Sequence, residues 1–164
     1  MVRAKFKTLK IVSGGQTGAD RAALDFALEH GLRHGGWCPQ GRLAEDGAID
    51  RCYRLQETPS PGYAQRTEWN VRDADATVVF SLHPQLAGGT LLTMEMARRL
   101  GKPCLHLTRR GAATPPGERL RQFLVEHNIH VLNVAGPRAS TDPGVVKFVQ
   151  ETLGAALLEA PQPH

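Results

Sequence analysis

Cysteine and aromatic residues are scarce: the 164 residues hold three cysteines, and Phe, Trp and Tyr together make up 5%. Cys38, Cys52 and Cys104 are too few and too widely spaced to staple a fold, and an odd count leaves one thiol over. That usage predicts a reducing, cytoplasmic setting. No apolar run approaches the roughly 18 residues that a bilayer crossing needs, so no membrane association is expected. The basic stretch Met1 to Lys10 lacks the apolar segment and small-residue cleavage site of a secretory signal. CxxC and HxxxH pairings are missing, which argues against a structural metal. Glu45, Asp46 and Asp50 lack the spacing of an EF-hand loop and read as a solvated turn. The basic residues are interleaved with acids and nowhere with aromatics, which argues against nucleic acid as partner.

What remains is a globular composition, 41% hydrophobic and 22% charged. This length predicts one folding unit, residues 1–159, followed by a frayed Pro-rich tail, 160–164. Net charge is +4, and 15 of the 20 basic residues are Arg. A guanidinium presents a planar fork that matches carboxylate and phosphate, so the balance favours a small anionic or phosphorylated ligand.

Short β-branched runs alternate with helical periodicity, the pattern of a doubly wound, mostly parallel α/β sheet with helices on both faces, a Rossmann-like fold. Leu9 to Ser13 predicts the first strand, and a helix follows from about Ala19 with Ala23, Phe26 and Ala27 on one face, stopped at Gly31. Ala76 to Leu82 is apolar almost throughout, as a central parallel strand should be. Leu92, Met96 and Leu100 then mark one helical stripe, closed by Gly101 and Pro103. Pro103 to Leu107 and Ile129 to Val134 predict further strands. Ser60-Pro61 and Asp142-Pro143 each place an oxygen-bearing cap before a proline, which predicts two more helix starts. Between Gly35 and Thr58, glycines, prolines and charges break any period, so one short strand near Trp37 and ordered loop are expected.

In such sheets ligands bind beyond the carboxyl ends of the strands. The unusual residues fall there. After the first strand comes Ser13-Gly14-Gly15-Gln16-Thr17-Gly18-Ala19-Asp20, where glycines can bare N–H groups to an anion or merely make a tight turn. Neither the Lys-Ser/Thr of a Walker A loop nor GxGxxG spacing is present. Gly88-Gly89-Thr90, with Thr93 one turn on, precedes the next helix in an equivalent place, and Ala135 to Ser140 adds a third turn bearing Arg138. Together these turns can wrap one anionic guest with amides, hydroxyls and a guanidinium. Arg66 and Asn70 stand four apart on a predicted helix and can point to one place, or form a surface pair with nearby acids. Asp20 can accept hydrogen bonds from a polar ring or complement the positive helix start.

Several motifs in one order then identify a resemblance. Val12 to Asp25, His34-Gly35-Gly36-Trp37-Cys38-Pro39, Ala44-Glu45-Asp46-Gly47, Arg66-Thr67 with Asn70-Val71, Leu86 to Thr90 and Leu132 to Arg138 resemble the molybdenum carrier family. The likeness spans roughly Lys10 to Leu153. It implies a Rossmann-like fold of the group that also holds lysine-decarboxylase-like and cytokinin-activating phosphoribohydrolase proteins. It implies binding of molybdenum cofactor, a phosphate-bearing pterin dithiolene, without chemical turnover. It further implies a homo-oligomer, a dimer or tetramer, that exchanges its cargo with molybdoenzymes or cofactor-synthesis proteins. The expected ligand-binding set is Ser13, Gly14, Gly15, Gln16, Thr17, Gly18, Asp20, Arg66, Asn70, Gly88, Gly89, Thr90, Thr93 and Arg138.

The related phosphoribohydrolases carry Pro-Gly-Gly-x-Gly-Thr-x-x-Glu. Here Ala87 to Glu95 is the matching stretch, with Leu91 and Leu92 in place of the Gly-Thr. The alternative function is therefore hydrolysis of the N-glycosidic bond of a nucleoside monophosphate, with Glu95 and Arg66 as its catalytic residues. A nucleotide-sensing module without turnover is the third reading.

Overall fold

The computed structural model describes residues 1–163. After a single 3-10 turn at Ala4–Phe6 the chain runs β1 (Lys10–Val12), α1 (Ala19–Glu29), β2 (Arg33–Gly35), β3 (Trp37–Cys38), β4 (Leu43–Ala44), β5 (Gly47–Ala48), β6 (Gln56–Glu57) and α2 (Tyr63–Asp73). It continues with β7 (Ala76–Ser81), α3 (Gly88–Arg99), β8 (Cys104–Thr108), α4 (Pro116–Glu126), β9 (Val131–Ala135) and α5 (Val145–Leu157). Five strands form one parallel sheet in the order β2-β1-β9-β7-β8. The last strand in sequence thus lies at the centre, with Leu132 paired to Ile11 on one side and to Ala76 on the other.

Alternation along the strands divides the side chains between two faces. Ile11, Val78, Phe80, Leu132 and Val134 join the main apolar core with residues of α1, α4 and α5, including Phe26, Leu124, Phe148 and Leu153. Phe80 and Phe148 meet edge to face at 5.3 Å, a contact worth about 1 kcal/mol beyond the area it buries. The opposite face of the same strands carries Thr77, Val79, Ser81 and Asn133, with α2 and α3 packed over it. There the Asn133 amide donates to Thr77 Oγ1 at 3.2 Å. Smaller and more polar side chains fill this face, and the cavity described below opens at its upper edge.

Several boundaries differ from the sequence expectation for local reasons. The helix expected at Pro61 begins at Tyr63, because Ser60 Oγ accepts from the Gly62 amide at 3.0 Å and holds one more residue extended. The helix expected at Pro143 begins at Val145, whose N–H reaches back to the Asp142 carbonyl. Helix α4 was hidden by Pro115-Pro116-Gly117, which reads as a turn. Pro116 instead opens the first turn, where a missing N–H is harmless. Gly117 lets that turn press on α5, since a Cβ there would lie 2.5 Å from the Ala155 methyl. The edge strand β2 is too short and too polar for periodicity to show it. Between Gly35 and Thr58 the single expected strand becomes four of two residues each, β3 pairing with β6 in parallel and β4 with β5 as a hairpin. Of the expected tail, residues 160–163 have no regular structure, and His164 lies outside the described residues.

Candidate functional site

At the carboxyl edge of the sheet the turns after β1, β7 and β9 surround a cavity of about 580 Å³. That is the size of a small-molecule site. Gln16 and Asp20 come from the first turn and helix, Tyr63, Arg66 and Thr67 from α2, and Ser81 to Thr93 from the end of β7 and the start of α3. Ala135, Gly136, Pro137, Arg138 and Thr141 come from the third turn.

The two glycine-rich turns, equivalent in sequence, are used differently. At the start of α3 no side chain caps the helix, and residues 88–90 line the cavity. The first amides of a helix have no partner within it, so those of Gly88, Gly89 and Thr90 are open donors. A Cβ on Gly89 would meet nothing within 4 Å. Thr93, which also lines the cavity, turns its hydroxyl back to the Gly89 carbonyl at 2.9 Å.

In the first turn the glycines make room for protein instead. A Cβ on Gly14 would lie 1.6 Å from an Arg66 nitrogen, and one on Gly15 would lie 2.6 Å from the Leu55 methyl. One on Gly18 would lie 2.3 Å from the Pro137 carbonyl, which itself accepts from the Ala19 amide. Gly15 and Gly18 also hold φ of 76° and 81°, the left-handed region in which other residues are strained. Ser13 is fully buried and braces the turn by donating to the Asp20 carbonyl at 2.9 Å. Thr17 bonds Glu45 and accepts from the Ala139 amide at 3.1 Å, tying the first turn to the third.

Arg66 reaches across from α2 and pairs with Asp20 at 2.9 Å, the two side chains being 14% and 6% exposed. Burial pushes the Asp20 carboxyl above its ordinary value, and the Arg66 guanidinium pulls the other way. Asp20 also accepts from the Gln16 amide at 3.3 Å. The Gln16 side chain is oriented by two donors, the amides of Thr17 and Glu45, which hold its Oε1 at 3.0 and 2.9 Å. Its Nε2 must therefore point the other way, and that atom is buried with no hydrogen-bond partner among the described residues. The guanidinium groups of Arg66 and Arg138 lie 5.4 and 5.5 Å from the centre of one ring, that of Tyr63, in cation–π geometry.

Asn70 is placed elsewhere. Its Oδ1 accepts from the Trp37 amide at 2.8 Å and its Nδ2 donates to the Trp37 carbonyl at 2.9 Å, clamping β3 beside a separate, smaller cavity. Glu95 lines a third cavity, between α3 and β8, with Met94, Arg98, Cys104 and His106. Arg66 is not among the residues around it. Tyr63, Ser81, His83 and Thr141, absent from the expected set, line the main cavity. Tyr63 sits three residues before Arg66 on one helix face, a spacing that could have exposed it. Ser81 lies 2.7 Å from His106 Nε2, and burial holds that imidazole below its ordinary pKa.

A parallel sheet flanked by helices, with a donor-rich cavity at its carboxyl edge, defines a Rossmann-like α/β domain. Comparison with known proteins gives the family. Residues 11–157 match the model of the circularly permutated YpsA SLOG family, and the chain belongs to that family. The chain is similar to a solved structure described as "Putative molybdenum carrier protein" from Syntrophus aciditrophicus SB. The identity is 46% over 90% of this chain and 93% of that one, with a TM-score of 0.84. Another solved structure, (E)-4-hydroxy-3-methyl-but-2-enyl diphosphate reductase, aligns at 8% identity over 88% of this chain and 58% of that one, with a TM-score of 0.39. No curated protein matches the chain.

Proposed function

We propose that this protein binds a phosphate-bearing anionic cofactor in the main cavity and carries it without turnover, and that the cargo is molybdenum cofactor. One observation carries the reading. Among the described residues Asp20 bears the one carboxylate that lines the cavity, and it is already paired with Arg66, while Arg138 and the opening residues of α3 line the same cavity. The cavity therefore has open main-chain donors, and a guanidinium at its rim, for a guest to meet.

The cofactor's parts match these donors. Its phosphate suits the amides of Gly88, Gly89 and Thr90, its oxo groups suit the guanidinium of Arg138, and a pterin carbonyl suits Gln16 Nε2. Tyr63 offers a ring face at the same wall. The 46% identity to the carrier protein described above supports this cargo over other phosphorylated ligands. The place of Glu95 in another cavity supports carriage rather than glycoside hydrolysis.

Native mass spectrometry with metal analysis, on protein purified from cells that make the cofactor, tests the proposal. The expected result is a bound pterin with molybdenum in one-to-one ratio. Persistent absence of both after repeated loading with cofactor would overturn it.

A further inference from the structure

We propose that the Glu45 carboxylate occupies a second anion site at the rim of the main cavity, and that an anionic group of the guest displaces it and frees the β4–β5 hairpin. The inference rests on the reading above, that the cavity takes an anionic guest.

Glu45 is at the tip of the hairpin that β4 and β5, two residues each, form. Its side chain folds back over the first and third turns and is 21% exposed, although the residue as a whole is exposed. Its two oxygens accept from Thr17 Oγ1, from the Ser140 amide at 3.1 Å and from Ser140 Oγ at 2.5 Å, and Arg138 Nη1 stands 4.0 Å away. Hydroxyls, a main-chain N–H and a guanidinium converging on one group of oxygens is the donor set that proteins use for phosphate. It is assembled from the first and third turns, the ones that also build the cavity wall. The protein's own carboxylate fills it.

The same residue is wired to the cavity by a second contact. The Glu45 main-chain N–H holds Gln16 Oε1, and the other end of that amide is the buried donor without a partner. Gln16 as a whole is 5% exposed and lines the cavity. Moving Glu45 outward therefore both vacates the rim donors and releases the Gln16 amide to turn toward a guest. Asp46, bonded to Arg21, is the remaining tie of the hairpin tip. A guest with two separated anionic groups, one at the start of α3 and one at the rim, is the class that fits both places.

Calorimetric titration with inorganic phosphate, on wild-type protein, Glu45→Ala and the triple variant Glu45→Ala/Thr17→Val/Ser140→Ala, tests this. Removing the competing carboxylate should tighten phosphate binding by roughly tenfold, equivalent to about 1.4 kcal/mol. The triple variant should lose that gain. Hydrogen exchange across residues 43–48 should rise when phosphate saturates the wild-type protein. Glu45→Gln, which keeps the shape and removes the charge, replaces Glu45→Ala if the latter fails to melt cooperatively. Equal or weaker binding by the folded Glu45 variants overturns the proposal, as does no binding by any of the proteins. Failure to load molybdenum cofactor while phosphate behaves as stated would instead tell against the cargo named above and leave the rim site standing.

Discussion

Arg66→Met removes one half of a buried ion pair and leaves the other half behind. Asp20 is 6% exposed at its side chain and keeps only the long 3.3 Å bond from the Gln16 amide, so its charge would have no adequate partner. Breaking a buried pair in this way costs about 3–5 kcal/mol. Asp20 can limit the loss by taking a proton. From an unfolded value near 3.9, neutralising a carboxyl at pH 7 costs about 4 kcal/mol, and at pH 5 about 1.5 kcal/mol. The folded-state pKa is already raised by burial and would rise further without Arg66. An acid with a raised folded pKa contributes stability that is present below its unfolded value and lost as pH rises through the folded one. The penalty of the variant should accordingly be about 3–4 kcal/mol at pH 7 and about 1.5 kcal/mol at pH 5. Urea denaturation at both pH values measures it, and Asp20→Asn/Arg66→Met should recover most of the loss at pH 7. A penalty that is small at pH 7, or the same at both pH values, would refute the claim that an unpaired Asp20 charge is its cause.

Other expectations follow from the same geometry. Gly15→Val should destabilise the fold by at least about 2 kcal/mol, because it forces a β-branched residue to positive φ against Leu55. Gly89→Val should leave the melting temperature nearly unchanged yet abolish ligand-induced stabilisation, since its side chain enters open space at the cavity wall; thermal melts with and without ligand check both. The carboxylates of Glu45, bonded by Ser140 and Thr17, and Asp46, bonded by Arg21, are held below their ordinary values. Their grip on the hairpin should thus be complete above the ordinary carboxylate range and lost as pH falls below about 4, seen as faster hydrogen exchange at residues 43–48. Burial pushes the Cys104 thiol up to about 11, and the Cys52 thiol, also raised by desolvation and by Asp50, is exposed, so in the folded protein alkylation at pH 8 should be faster at Cys52 than at Cys104.

The sheet was legible because its central strands are what an alternating α/β sequence must show: β7 is buried over six residues and reads as a mainly apolar run broken only by Thr77 and Ser81. The sheet order was not, since nothing local tells β9 to insert between β1 and β7. The candidate site was legible as three turns but not in its division of labour. Glycine pairs look alike in sequence whether the missing side chain admits a ligand, as space at Gly89 allows, or an Arg66 guanidinium, as at Gly14. Asn70 and Arg66 lie one helical turn apart, and helical spacing cannot tell which of them meets Trp37 and which meets Asp20. In sequence Glu45 looks like a solvated loop acid because its partners, Thr17 and Ser140, are 28 and 95 residues away.

Crystals grown with molybdenum cofactor, measured at the molybdenum absorption edge, would locate the cargo directly. An anomalous peak inside the cavity bounded by Arg66, Arg138 and the first turn of α3 is the predicted result. A fully occupied peak outside it, beside Glu95 or on the surface, would contradict the account.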